Sequence, residues 1–291
     1  MVHGRDRAGK GKRSSLMSSR KPVNATRMRS FSGKAKLGQN FLRDPSAARR
    51  IVDGLGDLSQ STVLEIGPGR GALTSLLAER AEKLIAVEID EVLARNLQLD
   101  FAERKNVEIR RANILQVSIA ELTGSSAGRI KVVGNIPYYI TSDILLHLFA
   151  QHQHIDLIVI MVQKEVAERL TAQPGTREYG LLTVTARLFA DIEDLFTLPP
   201  AAFSPPPQVY SSVLRLRISP KSGELNVDVQ QFLAFCKLAF AHKRKTLFNN
   251  LRRNYPESEI RKTLQSLRLR QDIRAEALRI EQLASIHASL S

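Results

Sequence analysis

From about residue 44 the chain alternates short apolar runs with segments whose apolar residues recur every three or four positions. Asp44-Pro45 reads as an N-cap and first helical position, opening a helix that runs to about Leu55. The pattern then predicts a strand over 62–66, a helix over 72–80, a strand over 84–89, a helix over 91–101 and a strand over 107–109. A strand over 130–133, a helix over 142–149 and a strand over 157–162 follow, and a further helix begins after Tyr179. Two more strand-like runs, 192–198 and 209–218, are separated only by the proline-rich stretch 199–207. With no helix between them, an antiparallel, hairpin-like end to the sheet is expected. Seven strands, most of them linked through helices, predict an α/β fold with a mainly parallel, doubly wound sheet. Residues 220–223 read as a linker, and residues 228–290 as a small, wholly helical domain. The expected organisation is an arm over 1–35, an α/β domain over 36–219 and a helical domain over 220–291.

Charge sharpens this division. The chain carries a net charge of +14, yet residues 1–36 hold +10, residues 232–275 hold +8, and residues 37–231 are close to neutral at −3. Positive charge concentrated on two flanks of a neutral core predicts phosphate-binding surfaces beside a catalytic centre. Residues 1–33 are rich in Gly, Ser, Lys and Arg without apolar periodicity, which predicts a disordered, solvated basic arm. It has no apolar core of a secretory signal; organellar targeting is the alternative reading of so Arg-rich a start.

The 43% hydrophobic content is that of a globular protein with a real core. A single cysteine, Cys236, excludes an internal disulfide and predicts a reducing, cytoplasmic compartment. It lies in an apolar helical run and reads as a packed small residue. The six histidines show no metal-ligand spacing, so no metal site is expected. The apolar stretch 155–162 contains Asp156 and is too short to span a bilayer, so no membrane association is expected.

Glu65-Ile66-Gly67-Pro68-Gly69-Arg70-Gly71 falls at the first strand-to-helix turn. Glycines there let the backbone approach a ligand closely, and the following helix start favours polar or anionic groups. The spacing is G-x-G-x-G rather than the dinucleotide pattern G-x-G-x-x-G. Val87-Glu88-Ile89-Asp90 closes the second strand with carboxylates about twenty residues on. Glu88 is placed to accept ribose hydroxyls, and Asp90 to cap the next helix. In these features the chain resembles the class I S-adenosylmethionine-dependent methyltransferases, which implies a Rossmann-like, mainly parallel seven-stranded sheet. In that class the third strand end contacts the adenine of the cofactor. By position this is Asn113, where Asp is usual; an Asn can still accept through its side-chain carbonyl.

Asn135-Ile136-Pro137-Tyr138 follows the apolar run Ile130-Lys131-Val132-Val133-Gly134. An amide, a fixed kink and an aromatic ring at a strand's C-terminal end suit holding a planar, amine-bearing ring by its edge and its face. The exocyclic amine of adenine is a poor nucleophile because its lone pair is delocalised into the ring. Two acceptors on its two N–H bonds, the Asn135 side-chain oxygen and the Ile136 carbonyl, orient it and favour a pyramidal nitrogen. Pro137 fixes the turn, and Tyr138 can stack on a flipped-out base, a contact of roughly 1–3 kcal/mol.

With Leu37-Gly38-Gln39-Asn40-Phe41-Leu42, Asn135 to Ser142, Gln163 to Leu170, Tyr179-Gly180, Phe203-Ser204-Pro205-Pro206-Pro207 and Phe240 to Leu247, the chain resembles one family. It is similar to the small-subunit (16S) rRNA adenine N6,N6-dimethyltransferases, the KsgA family, from residue 36 to about 285. The resemblance implies that Asn40, Leu42, Gly67, Glu88, Asn113 and Asn135 bind S-adenosylmethionine, with S-adenosylhomocysteine as the product. Asn135, Ile136, Pro137, Tyr138 and Phe203 would form the catalytic site, Phe203 facing the target adenine opposite Tyr138. Lys243, Arg244 and Lys245 would contact the RNA backbone. The implied substrate is a pair of adjacent adenines in the 3′-terminal hairpin loop of small-subunit rRNA, free or within the assembling subunit, and the implied protein is a monomer. A large-subunit rRNA methyltransferase of the macrolide-resistance type shares Asn135–Tyr138 and stands as the alternative. The runs 163–170 and 240–246 favour the small-subunit reading. A non-catalytic ribosome-assembly or transcription factor that kept the fold is the rival from another class.

Overall fold

The computed structural model describes Met1, residues 39–124 and residues 128–291. Nearly all of the basic arm expected over 1–35 lies outside the described residues. In chain order the elements are β1 (Phe41–Leu42), α1 (Pro45–Asp53), β2 (Thr62–Ile66), α2 (Thr74–Arg80), β3 (Lys83–Glu88) and α3 (Glu91–Asp100). Next come β4 (Val107–Arg111), α4 (Ile119–Thr123), β5 (Ile130–Asn135), α5 (Thr141–Ala150), β6 (Ile155–Gln163), α6 (Lys164–Thr171) and α7 (Leu181–Phe189). The chain continues through β7 (Ala190–Leu198), β8 (Phe203–Ser204), β9 (Ser211–Ile218), α8 (Ser222–Leu225), α9 (Val229–Ala239), α10 (Leu247–Leu251), α11 (Glu257–Ser266) and α12 (Ile280–Leu290).

Seven strands form one sheet in the order β4-β3-β2-β5-β6-β9-β7. All neighbours are parallel except β9, which runs antiparallel to both β6 and β7. The expected mainly parallel sheet with an antiparallel end is therefore present. Its central strands β2, β3, β5 and β6 are apolar on both faces because helices cover both. Along β6, Ile158, Ile160 and Val162 enter one core cluster, whereas Val159 and Met161 enter the other. That alternation is the two-residue period of a strand. Asp44 caps α1 by accepting hydrogen bonds from the main-chain N–H groups of Ser46 and Ala47, as the Asp-Pro pair implies.

The helices beyond β9 do not pack on themselves alone. Phe232, Phe235, Leu251 and Leu283 share one buried cluster with Val184 and Leu188 of α7, and residues 35–291 form one compact unit. Cys236 is fully buried there, and burial pushes its thiol up to about 12. The expected linker over 220–223 is instead partly the short helix α8. Three further features are absent from the sequence reading: helices α4 and α6, and the two-residue ribbon in which β1 pairs antiparallel with β8.

Candidate active site

The parallel strands β2, β3 and β5 end on one edge of the sheet, and the chain crossing that edge lines a cleft of about 800 Å³, its open mouth included. Gln39, Asn40, Phe41, Gly67, Gly69, Glu88, Asn113, Asn135, Ile136, Pro137 and Tyr138 all contribute to its wall. This is where an open α/β sheet exposes main-chain groups and side chains to a ligand.

Glu88 ends β3 with a buried carboxylate. Its Oε2 accepts from Gly69 N at 3.0 Å and its Oε1 from Asp90 N at 2.9 Å. Burial raises its pKa, and these main-chain N–H bonds oppose the rise. Each oxygen keeps a lone pair for a second donor, such as a ribose hydroxyl. Asp90 caps α3 through Val92 N and Leu93 N and is absent from the cleft wall. Gly69 has φ +58°, and a Cβ there would lie 2.9 Å from Cδ1 of Phe41. The glycine is needed for conformation and for space.

Asn113 follows β4 and caps a single 3₁₀ turn, its Oδ1 accepting from Leu115 N at 3.1 Å. Its carbonyl oxygen is thus already in use, leaving one lone pair and the Nδ2 donor. Ile89, Ile114, Ile136 and Ile144 give this part of the cleft apolar walls. A carboxylate at one strand end beside an apolar slot with an amide at its rim fits a purine nucleoside.

Asn135, the last residue of β5, donates from Nδ2 to the main-chain carbonyl of Asn40 at 2.7 Å. That bond fixes which end of the amide is which and leaves Oδ1 as an acceptor that meets no donor among the described residues. Gly134 before it is constrained by packing: a Cβ there would stand 2.9 Å from the Ile66 carbonyl oxygen. The Tyr138 hydroxyl and the Ser211 hydroxyl lie 2.6 Å apart, joining the turn after β5 to the first residue of β9. Burial raises the Tyr138 pKa and the Ser211 bond opposes it.

The side chains of two expected site residues are buried beside the cleft. Leu42 and Phe203 do not line the cleft; both are buried in the smaller core cluster. They lie directly opposite one another in the β1–β8 ribbon, so their side chains share a face. Alternation along β1 puts Phe41, not Leu42, on the cleft side. In this arrangement the Phe203 side chain packs beneath the ribbon with Leu42. Phe41, which the sequence reading passed over, supports the glycine turn, with the Arg70 guanidinium 4.4 Å from its ring centroid. Gln39 joins it on the wall.

Beneath the glycine turn, Glu65 is fully buried. Burial pushes its carboxyl up to about 8; Thr74 opposes that rise and Glu88 adds to it. It holds a proton at neutral pH.

Lys243, Arg244 and Lys245 are exposed in the turn between α9 and α10. The Lys243 ammonium donates to the Arg177 carbonyl, which brings this turn against the loop before α7. Among the described residues no group of His, Cys, Asp and Glu could hold a metal ion, and no helix is long and apolar enough to cross a membrane.

The sheet order, with its single reversed strand, and the cleft across the ends of its parallel strands define a Rossmann-like class I S-adenosylmethionine-dependent methyltransferase fold. A model of the ribosomal RNA adenine dimethylase family matches residues 30–291, and the chain belongs to that family. It is 52% identical over 268 residues to ribosomal RNA small subunit methyltransferase A of Koribacter versatilis (strain Ellin345), covering 88% of this chain and 94% of that protein. Among solved structures it is similar to the 23S rRNA methyltransferase ErmE, with a TM-score of 0.67 and 27% identity over 86% of this chain and 99% of that one. A dimethyladenosine transferase from Plasmodium falciparum shares the fold, with a TM-score of 0.74 at 23% identity over 84% of this chain and 95% of that one.

Proposed function

We propose that this protein transfers methyl groups from S-adenosylmethionine to the N6 amines of two adjacent adenines near the 3′ end of small-subunit (16S) rRNA, giving N6,N6-dimethyladenosine. The observation that carries the reading is the Asn135 amide, held at the strand end by the Asn40 carbonyl with Oδ1 left as an acceptor. The family match and the 52% identity to a small-subunit enzyme favour this target over large-subunit rRNA.

The cofactor, when bound, supplies an electrophilic methyl group on a sulfonium. Glu88 would hold its ribose, Asn113 and the isoleucine walls its adenine, and the Asn40–Gly67 end of the cleft its amino-acid part. Asn135 Oδ1 and the Ile136 carbonyl would accept the two N–H bonds of the substrate amine. These acceptors turn the nitrogen lone pair toward the methyl, and their dipoles stabilise the positive charge that develops on nitrogen. The amine proton then leaves to water. Pro137 sets the direction of the Ile136 carbonyl. Tyr138, its ring plane tied through its hydroxyl to Ser211, would stack on the flipped-out base.

Residues 220–291 would serve as the helical RNA-binding domain, with Lys243, Arg244 and Lys245 on phosphates. The protein would act as a monomer in the cytoplasm, on rRNA or an assembling small subunit, without a metal.

Labelled methyl transfer to small subunits isolated from a strain lacking the enzyme tests this, with mass spectrometry locating the methyl groups. Two adjacent dimethylated adenines in small-subunit RNA, lost in Asn135→Ala, are expected. Methylation confined to large-subunit RNA would overturn the target, and full activity of Asn135→Ala would overturn the mechanism.

A further inference from the structure

The chain has five tyrosines, and two of them, Tyr139 and Tyr210, are exposed, at 66% and 54%. Both stand on the edge of the sheet that carries the cleft. Tyr139 follows Tyr138 and lines the cleft mouth. Tyr210 precedes Ser211, the residue whose hydroxyl is bonded to that of Tyr138. Each exposed ring is therefore one residue along the chain from one partner of a single 2.6 Å hydrogen bond. The sheet register explains the placement: β9 runs antiparallel and begins opposite Gln163, the last residue of β6. Its start thus falls on the edge where β5 ends.

Neither tyrosine is explained by packing. Among the described residues, neither hydroxyl has a hydrogen-bond partner and neither ring meets another ring or a cation. Val209, 42% exposed, extends the apolar surface beside Tyr210. The main chain of Tyr210 is nonetheless held, its carbonyl accepting from Lys164 N at 3.0 Å. The Lys164 ammonium itself is paired with the Glu168 carboxylate at 3.8 Å, one turn along α6. A flat exposed face on a fixed backbone matches the requirement of a single-stranded nucleic acid, whose bases stack on such rings.

We propose that Tyr139 and Tyr210 form a stacking rim that receives unpaired rRNA bases flanking the adenine in the cleft. The inference rests on the rRNA-adenine reading above and extends it to a surface outside the methyl-transfer motif. Loop nucleotides on either side of a flipped base lose their stacking partner, and the two rings replace it. Because every base has a π face, this contact adds affinity and orientation and leaves the choice of adenine to Asn135.

Tyr139→Ala, Tyr210→Ala and the corresponding Phe variants test the proposal in methyl-transfer assays on small subunits. Each Ala variant is expected to raise KM for the RNA roughly five- to hundredfold, the range of one lost base stack. The Phe variants restore it, since the ring and not the hydroxyl makes the contact. The slope of RNA affinity against salt stays as in the wild type, because no phosphate contact is removed. The affinity of Tyr210→Ala for S-adenosylhomocysteine, measured by calorimetry, also stays unchanged, which separates the rim from the cofactor site. An unchanged KM in both Ala variants of an enzyme whose wild type is active overturns the rim, as does a defect that Phe does not rescue. A wild type that transfers no methyl to small-subunit RNA instead overturns the reading on which the rim rests.

Discussion

Asn135 Nδ2 lies 2.7 Å from the main-chain oxygen of Asn40, a bond between residues 95 positions apart. It joins the strand end that carries the amide to the segment just before β1. Replacing Asn135 with Asp removes the donor and sets a carboxylate against a carbonyl oxygen. The acceptor oxygen remains but loses the bond that places it, so we expect kcat to fall by about a hundredfold, the order for a misplacement of about 1 Å. Residues 39–42 should also loosen, seen as faster main-chain hydrogen exchange there. A variant with wild-type kcat and exchange would remove the Asn40 bond from the mechanism.

Asn113 offers a different kind of check. Its Oδ1 already caps Leu115 N, so only one lone pair remains for an adenine amine. Asn113→Asp keeps the cap and adds a second acceptor oxygen. Calorimetry should show several-fold tighter binding of S-adenosylhomocysteine. Weaker binding would mean that the Nδ2 donor is the group in use.

Glu65 links pH to stability. Its carboxyl titrates near 8 in the folded chain against an ordinary value of 4.5. An acid raised in this way contributes its full stability below about 4.5 and loses it as pH climbs to about 8. Glu65→Gln should flatten that fall, which is at most about 1.4 kcal/mol per pH unit. Urea midpoints from pH 5 to 9 measure it; parallel curves for both proteins would show that Glu65 does not carry the dependence.

Gly134 sits directly opposite Ile66 where β5 pairs with β2. A methyl group 2.9 Å from the Ile66 carbonyl forces the strands apart at the base of the catalytic motif. Gly134→Ala should lower stability by about 1–3 kcal/mol, in line with overpacking elsewhere. Activity should fall further than stability alone explains, because Asn135 moves with the strand. Thermal melts and kcat on the same samples separate the two effects.

Removing the charges of Lys243, Arg244 and Lys245 together should shallow the slope of log affinity against log salt by about 1–2. Lys243 contributes less than a free ammonium because it also serves the Arg177 carbonyl. An unchanged slope would place the RNA backbone on another surface.

Much of this architecture is written locally. The apolar runs of β2, β3, β5 and β6, the Asp-Pro start of α1 and the Asp90 cap each depend on neighbours a few positions away. Such patterns can be read from a single chain. The same holds for Gly67, Glu88 and Asn135, which occupy strand ends, and strand ends in a parallel sheet share one edge. The burial of the Leu42 and Phe203 side chains is not legible locally, because their orientation depends on a pairing between residues about 160 positions apart. A two-residue strand has no period of its own to reveal which face it turns inward. The Asn40–Asn135 and Tyr138–Ser211 bonds are likewise long-range, and no local pattern announces them. Sequence alone determined the sheet, its functional edge and the residue types brought there. Tertiary packing decided which side chains face the cleft, because facing is settled by the partner strand and not by the strand itself.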